Sequence, residues 1–446
     1  MNKEELKREI GVFGLTTHMV NSIIGSGIFV LPAIIAAGLG PASIIAYLFC
    51  GFLTLLIMFC YAEISSNLTE TGGPYLYIER TFGKYAGFVT TFLVLLASIA
   101  GDAAISNAIY DIISSSFPFF QNQIIRLIFL LVLFSGLGYV NIIGIKSGIN
   151  FVKLITIMKV IPLLLIILLG ITDVSLNNLH ISETPSINEI GSMSIILFFA
   201  FQGISTSISV GGEVRDAKKT IPKSIFLTIS IVLIIYILIQ TISQGILGNS
   251  LIDFNEAPLS HVAEKVMGPI GFIILSIGAV VSMFGSLSGG VLSTPRVLYS
   301  AAKDNTIPIK TLSLIHNKYA TPYLSIISYV AISFILAFFG GFQQLAVIST
   351  CSCIMIYLAI SLSIIKLRKK RKFIRTGSFR IPGGYIVPLL SCFVCLWFLS
   401  NISTTEYLSI SLYLIIVTSL YLFVKFIKSK KVSEKVRNKD REVHQK

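Results

Sequence analysis

Long apolar runs recur down the whole chain, separated by short polar stretches. A helix needs about 20 mostly apolar residues to cross a ~30 Å hydrocarbon layer. Runs of that kind predict spans near 11–39, 42–66, 86–115, 124–145, 149–171, 191–213, 222–247, 270–301, 322–341, 342–366, 384–402 and 407–427. The ninth and tenth are divided only by the turn signal Gly340-Gly341. The pattern predicts an all-α polytopic membrane protein with twelve transmembrane helices, and it leaves no room for a soluble domain.

Composition agrees with that pattern. Of 446 residues, 54% are hydrophobic and 13% are charged, against roughly 25% charged in soluble domains. The few charges are lopsided, with 35 Lys and Arg, 21 Asp and Glu, and a net charge of +14. A basic excess raises nucleic acid as a partner, but the positions of the charges set it aside. With a cytoplasmic N-terminus, Lys and Arg fall almost wholly on cytoplasmic segments. Arg126 and Lys265 are assigned to the outer side, and Lys159 falls mid-way along a span rather than near an end. The loop 172–190, expected outside, has neither Lys nor Arg. This positive-inside bias supports the partition and puts both termini in the cytoplasm. The Lys366–Arg380 cluster and the basic tail 428–446 read as juxtamembrane faces that attract anionic lipid. The first apolar stretch is too long for the core of a cleaved signal peptide.

Motifs for chemistry are missing. The sequence contains no Gly-x-x-x-x-Gly-Lys, His-Glu-x-x-His or Gly-x-Ser-x-Gly pattern. Its five histidines are scattered, and only His18 falls inside a span. Cys392 and Cys395 have metal-like spacing, but no second pair and no nearby His. The six cysteines read as core thiols. No cofactor, metal or enzymatic activity is expected.

The informative spans carry what a lipid-facing helix would not. Gly25-Ser26-Gly27 sits at the centre of the first span, where it permits unwinding. The unwound amides would then form the N-terminal end of a half-helix, suited to a carboxylate. The alternative is close packing through small residues. The sixth span carries Phe199-Ala200-Phe201-Gln202-Gly203, with hydroxyls following. Interruptions at corresponding positions of two five-span sets point to inverted repeats with a midplane site. A carboxylate at one break and an ammonium at the carbonyls of the other describe a zwitterionic amino acid.

At these residues the chain resembles the amino acid–polyamine–organocation superfamily of transporters. The resemblance runs through Gly25-Ser26-Gly27-Ile28-Phe29, Gly72-Gly73-Pro74-Tyr75-Leu76-Tyr77, Glu213-Val214-Arg215-Asp216-Ala217-Lys218-Lys219-Thr220-Ile221-Pro222 and Pro295-Arg296-Val297-Leu298-Tyr299-Ser300-Ala301-Ala302-Lys303-Asp304 with Pro308 beyond. It covers about residues 10–430 and is nearest to bacterial permeases and arginine/agmatine-type exchangers. It implies a leucine-transporter-like fold of five plus five spans with two further helices. It also implies alternating access, either as proton-coupled uptake or as sodium-independent exchange. Residues 1–10 would then be a cytoplasmic tail, 11–171 and 191–366 the two repeats, and 384–427 the last two spans. Ile24, Ser26 and Gly27 would take the substrate carboxylate. The segment Phe199, Ala200, Phe201 to Gly203 would take its ammonium and cover it with an aromatic lid. Gly290 stands where the arginine/agmatine exchangers place a Trp, and Ser205 where they have a Glu. Both departures set this chain apart from those exchangers.

Two charges remain that orientation does not explain. Lys159 lies mid-way along the fifth span, where leaving it in lipid costs about 2.5–3.5 kcal/mol. It is a candidate proton-coupling group, or else a fixed charge bonded to first-span carbonyls. Asp102, in the third span, either receives the far end of a cationic substrate or pairs with Lys159 in a site for neutral amino acids. Glu63 and Glu213 read as ion-pairing groups at cytoplasmic ends. Ser286 and Ser288, in the eighth span, line the cavity or allow close packing. The expected partners are an amino acid or polyamine, a proton, membrane lipid and a second copy of the chain, at the inner cell membrane.

Overall fold

The computed structural model describes residues 10–68, 73–144, 149–182, 184–204, 214–304, 306–307, 309–369 and 379–444. Among them the regular structure is helical, apart from one isolated bridge between Ile10 and Val214. The first predicted span is two helices, α1 (Val12–Ile23) and α2 (Gly27–Leu39). Then follow α3 (Ser43–Asn67), α4 (Gly73–Phe82), α5 (Lys84–Ser116), α6 (Gln123–Ile143), α7 (Ile149–Gly170) and α8 (Ile187–Phe198). The second part holds α9 (Ala217–Leu247), α10 (Pro258–Met267), α11 (Pro269–Lys303), α12 (Tyr323–Phe339), α13 (Phe342–Arg368), α14 (Ile386–Ser400) and α15 (Thr404–His444).

Among the described residues, seven stretches are long and apolar enough to cross a bilayer: Gly27–Asn67, Lys84–Ser116, Gln123–Ile143, Lys218–Phe254, Pro269–Lys303, Phe342–Arg368 and Thr404–Phe426. Ile187–Phe201, Tyr323–Phe339 and Ile386–Ser400 are shorter apolar helices. The chain is therefore an all-α, multi-pass membrane protein. Its burial pattern fits lipid as solvent. Leu48, Phe52, Leu131, Val132, Ile234 and Ile415 are exposed, while Thr54, Ser106, Thr228, Gln240, Thr350 and Ser361 are buried. Two helices fall outside the predicted spans. α4 and α10 are too short to cross, and they pack on α5 and α11 respectively. α15 continues well past the predicted end at 427, into the charged tail.

Local chemistry sets several ends. Ser186 caps α8 reciprocally with Glu189: the Glu189 amide donates to Ser186 Oγ at 3.2 Å, and the Ser186 amide to Glu189 Oε2 at 2.7 Å. These bonds favour the ionised carboxyl and hold its pKa below the usual value. Asn122 Oδ1 accepts the Ile124 amide at the start of α6. Gly144, in the left-handed region at φ 77°, closes the other end.

The packing is built on crossings between the two halves of the chain. α5 packs against α11 and α13, and α11 against α7. α3 packs against α9 and α8, and α9 against α1. α6 packs against α12.

Near the C-terminal end of α3, Glu63 is buried and takes a two-pronged bond from Arg368 at the end of α13. Nε lies 2.6 Å from Oε1, and Nη2 donates to Oε2. The Ile381 amide donates to Glu63 Oε2 at 2.8 Å, and the Phe379 amide to Ser66 Oγ at 3.1 Å. Arg368 also donates to the Gly384 carbonyl. One carboxylate thus fastens α3, α13 and the strap leading to α14. Removing one partner of a buried ion pair leaves the other charge uncompensated. Glu63→Gln is expected to destabilise the protein by about 3–5 kcal/mol, read as a lowered melting temperature in detergent. Replacing both partners with apolar residues is expected to recover most of the loss.

Candidate substrate site at two helix breaks

A helix interrupted inside a bilayer exposes up to four carbonyls at one stump and up to four amides at the next. The first span does this between Ile23 and Gly27. Each exposed group can be followed. The Ile24 amide donates to the Val20 carbonyl at 3.0 Å. Lys159, from α7, is 2% exposed, and its Nζ donates to the Asn21 and Ile24 carbonyls, each at 2.9 Å. The Tyr236 hydroxyl, from α9, reaches the Ile23 carbonyl at 3.4 Å and the Ala200 carbonyl at 3.0 Å. On the far side, α2 begins at Gly27, so its first amides point back into the break. Ser26 Oγ beside them is buried and has no hydrogen-bond partner.

The sixth span breaks in the same way. α8 ends at Phe198, and one 3-10 turn, Phe199–Phe201, leads to Gln202 and Gly203. Gly203 has φ +105°, which side chains rarely adopt, and a Cβ there would lie 2.5 Å from the Ser22 carbonyl oxygen. A Cβ on Gly27 would lie 2.6 Å from Ala200 Cβ. The two breaks therefore touch at two places, and both contacts require glycine.

Other predicted residues gather around this contact. A Cβ on Gly25 would lie 3.4 Å from Ser286 Oγ, which places α11 at the first break. The Phe199 ring lies 3.9 Å from where a Gly101 Cβ would be, and it meets Phe342 edge-on at 5.7 Å. Phe201 packs edge-on against Tyr236 at 5.4 Å. Gly290 is one helical turn beyond Ser286, on the same face of α11. A Cβ there would lie 2.4 Å from both oxygens of Asp102. Asp102 is 6% exposed and accepts from the Tyr329 hydroxyl at 2.7 Å. Its partner is Tyr329 of α12. Among the described residues no ion pair joins it to Lys159. Ser205 and Glu213 lie outside the described residues, as do Gly72 and Pro308. The six cysteines are free thiols.

The arrangement also includes residues that sequence reasoning did not single out. Gln202, at the second break, donates to Thr350 Oγ1 at 2.9 Å, and its Oε1 lies 3.2 Å from Ser349 Oγ. Ser349 donates to the Ala97 carbonyl at 2.8 Å, which fixes α13 to α5. Tyr236 and Tyr329 were equally unremarked. The available signal was a polar side chain inside an apolar span, which is common and does not name a partner.

Chemically, the site offers free amides and a buried hydroxyl at one stump and carbonyl dipoles at two others, with a phenyl ring and a carboxylate near by. Among the described residues no three His, Cys, Asp or Glu side chains cluster. Opposed helix ends of this kind can accommodate the two charges of a small zwitterion.

The sequence profile of the amino acid permease family matches residues 10–421. The serine/threonine exchanger SteT of Bacillus subtilis is 30% identical over 423 residues, covering 92% of this chain and 94% of that one. The methylthioribose transporter of the same organism is 25% identical over 433 residues, covering 94% and 93%. Its branched-chain amino acid permease BcaP is 24% identical over 454 residues, covering 97% and 95%. The profile spans both breaks and nearly all the helices, and the chain belongs to the amino acid permease family.

Proposed function

We propose that this permease moves its amino acid across the cell membrane by alternating access, holding it between the two breaks. The meeting of the breaks at Gly27–Ala200 and Ser22–Gly203 carries this reading. The α2 amides and Ser26 take the carboxylate, and carbonyls at the ends of α1 and of the Phe199–Phe201 turn take the ammonium.

The reading includes twelve spans in two inverted five-span repeats. It is supported by the contact pattern, which maps onto itself when each span is exchanged with the one five places later. The α5–α13 crossing then becomes α11–α7, α8–α3 becomes α1–α9, and α12–α5 becomes α6–α11; all six are present. The α5–α11, α3–α9 and α6–α12 crossings each map onto themselves. A repeat of five spans reverses direction, so the second set runs opposite to the first.

Two coupling modes fit the site. In proton symport, Lys159 gives up its proton during the cycle and loosens the end of α1. In sodium-independent exchange, Lys159 stays a fixed ammonium. Its two carbonyl bonds at 2.9 Å favour exchange, as does the likeness to a protein named a serine/threonine exchanger. In proteoliposomes, saturable counterflow of labelled amino acid is expected, and non-saturable flux would overturn the transport reading. Exchange predicts a rate indifferent to an imposed pH gradient; acceleration by an inward proton gradient, lost in Lys159→Met, assigns symport.

Asp102 tunes which side chains are accepted. Its carboxylate lies against Gly290, on the face of α11 that reaches the first break through Ser286. Asp102→Asn keeps the shape and removes the charge. If the carboxylate meets a cationic side chain, arginine, lysine or polyamine counterflow is expected to fall at least ten-fold, with neutral substrates little changed. A uniform fall across the panel assigns Asp102 to packing with Tyr329.

A further inference from the structure

A cavity of about 670 Å³ lies along α1 and reaches its last turn before the first break. It is lined by Val12, Phe13, Thr16, Thr17, Val20 and Asn21 of α1, Val160 and Ile161 of α7, and Leu227 and Ile231 of α9. The lining is mostly apolar. Phe13 is 86% exposed, and Ile161, Leu227 and Ile231 are also exposed. The cavity therefore opens to the bilayer in the cytoplasmic half, where lipid is the solvent.

The charge beside the trough selects the lipid. Lys223 precedes Leu227 by one helical turn on the i, i+4 ridge that continues to Ile231. Lys223 is exposed and, among the described residues, makes no ion pair. One turn further towards the cytoplasm is Lys219, exposed, with Asp216 at 3.7 Å. A cationic head thus sits over an apolar trough.

We infer that this groove binds an anionic phospholipid, with an acyl chain along Phe13, Leu227 and Ile231 and the phosphate on Lys223. The site bears on transport because α1 is shared. Asn21 lines the groove, while its carbonyl accepts Lys159 on the way to the break. A lipid chain there braces the half-helix whose end forms the substrate site.

The test is competition between phosphatidylglycerol and phosphatidylcholine of identical chains, read by native mass spectrometry of the purified full chain. Wild-type protein is expected to retain phosphatidylglycerol preferentially. Lys223→Gln is expected to lower that preference roughly five-fold. Ile231→Trp fills the trough and is expected to lower retention of both lipids. Lys84→Gln, a cytoplasmic lysine outside the lining, is expected to change nothing. Equal retention of the two lipids by wild-type protein would overturn the proposal. So would an unchanged preference in Lys223→Gln, or a fall in Lys84→Gln as large as that in Lys223→Gln, which marks diffuse surface charge. Retention undiminished in Ile231→Trp would overturn the groove as the place of the chain. None of these readouts requires transport, so they stand apart from the reading of the substrate site.

Discussion

Backbone groups released by breaking a helix in a bilayer find no water, and each one left bare costs several kcal/mol. That requirement organises this molecule. Lys159 takes the Asn21 and Ile24 carbonyls, and Tyr236 bridges those of Ile23 and Ala200. The α2 amides and Ser26 Oγ are left facing the break. Donors from α7 and α9 thus reach the carbonyl side, each carbonyl keeping a second lone pair, while the first amides of α2 and Ser26 remain for the ligand of the proposed site. The buried lysine, costly in plain lipid, spends its charge on these two carbonyls.

The rest of the fold holds those donors in place. α7 leans on α11 through a tight contact, where a Cβ at Gly278 would lie 2.8 Å from Pro162, one turn from Lys159. α9 lies along both halves of the first span: Ser224 donates to the Val12 carbonyl at 3.1 Å, and Gln240 reaches the Pro32 carbonyl at 3.4 Å. Tyr236 sits between these anchors. Small residues let helices approach where the lipid-facing surface supplies no hydrophobic drive between them.

Much of this was legible in the sequence, for a physical reason. Glycine pairs and long apolar runs are local signals, so the break at Gly25–Gly27 and the apolar segments could be read directly. Gly203 was legible too, although its contact with Ser22 was not. Partners were less readable. Lys159 stood out as an unexplained charge, and carbonyls of the first span were one of its two readings. Asp102 stood out equally, yet its partner proved to be Tyr329, a phenol more than two hundred residues away with no local mark. Gln202 and Tyr236 were hidden for the same reason: one polar side chain in an apolar span says that a partner exists without naming it. α4 and α10 escaped because a short helix at the membrane edge lacks the length that reveals a span.

The two breaks are proposed to hold an amino acid together, its carboxylate at the start of α2. A single cysteine in place of Ser26, in a chain whose six native cysteines are replaced, reports on that place directly. Its modification by a small thiol reagent is expected to slow at saturating transported amino acid, and to be unaffected by the corresponding amine lacking the carboxylate. Modification unchanged by the amino acid, or slowed equally by the amine, would contradict the account.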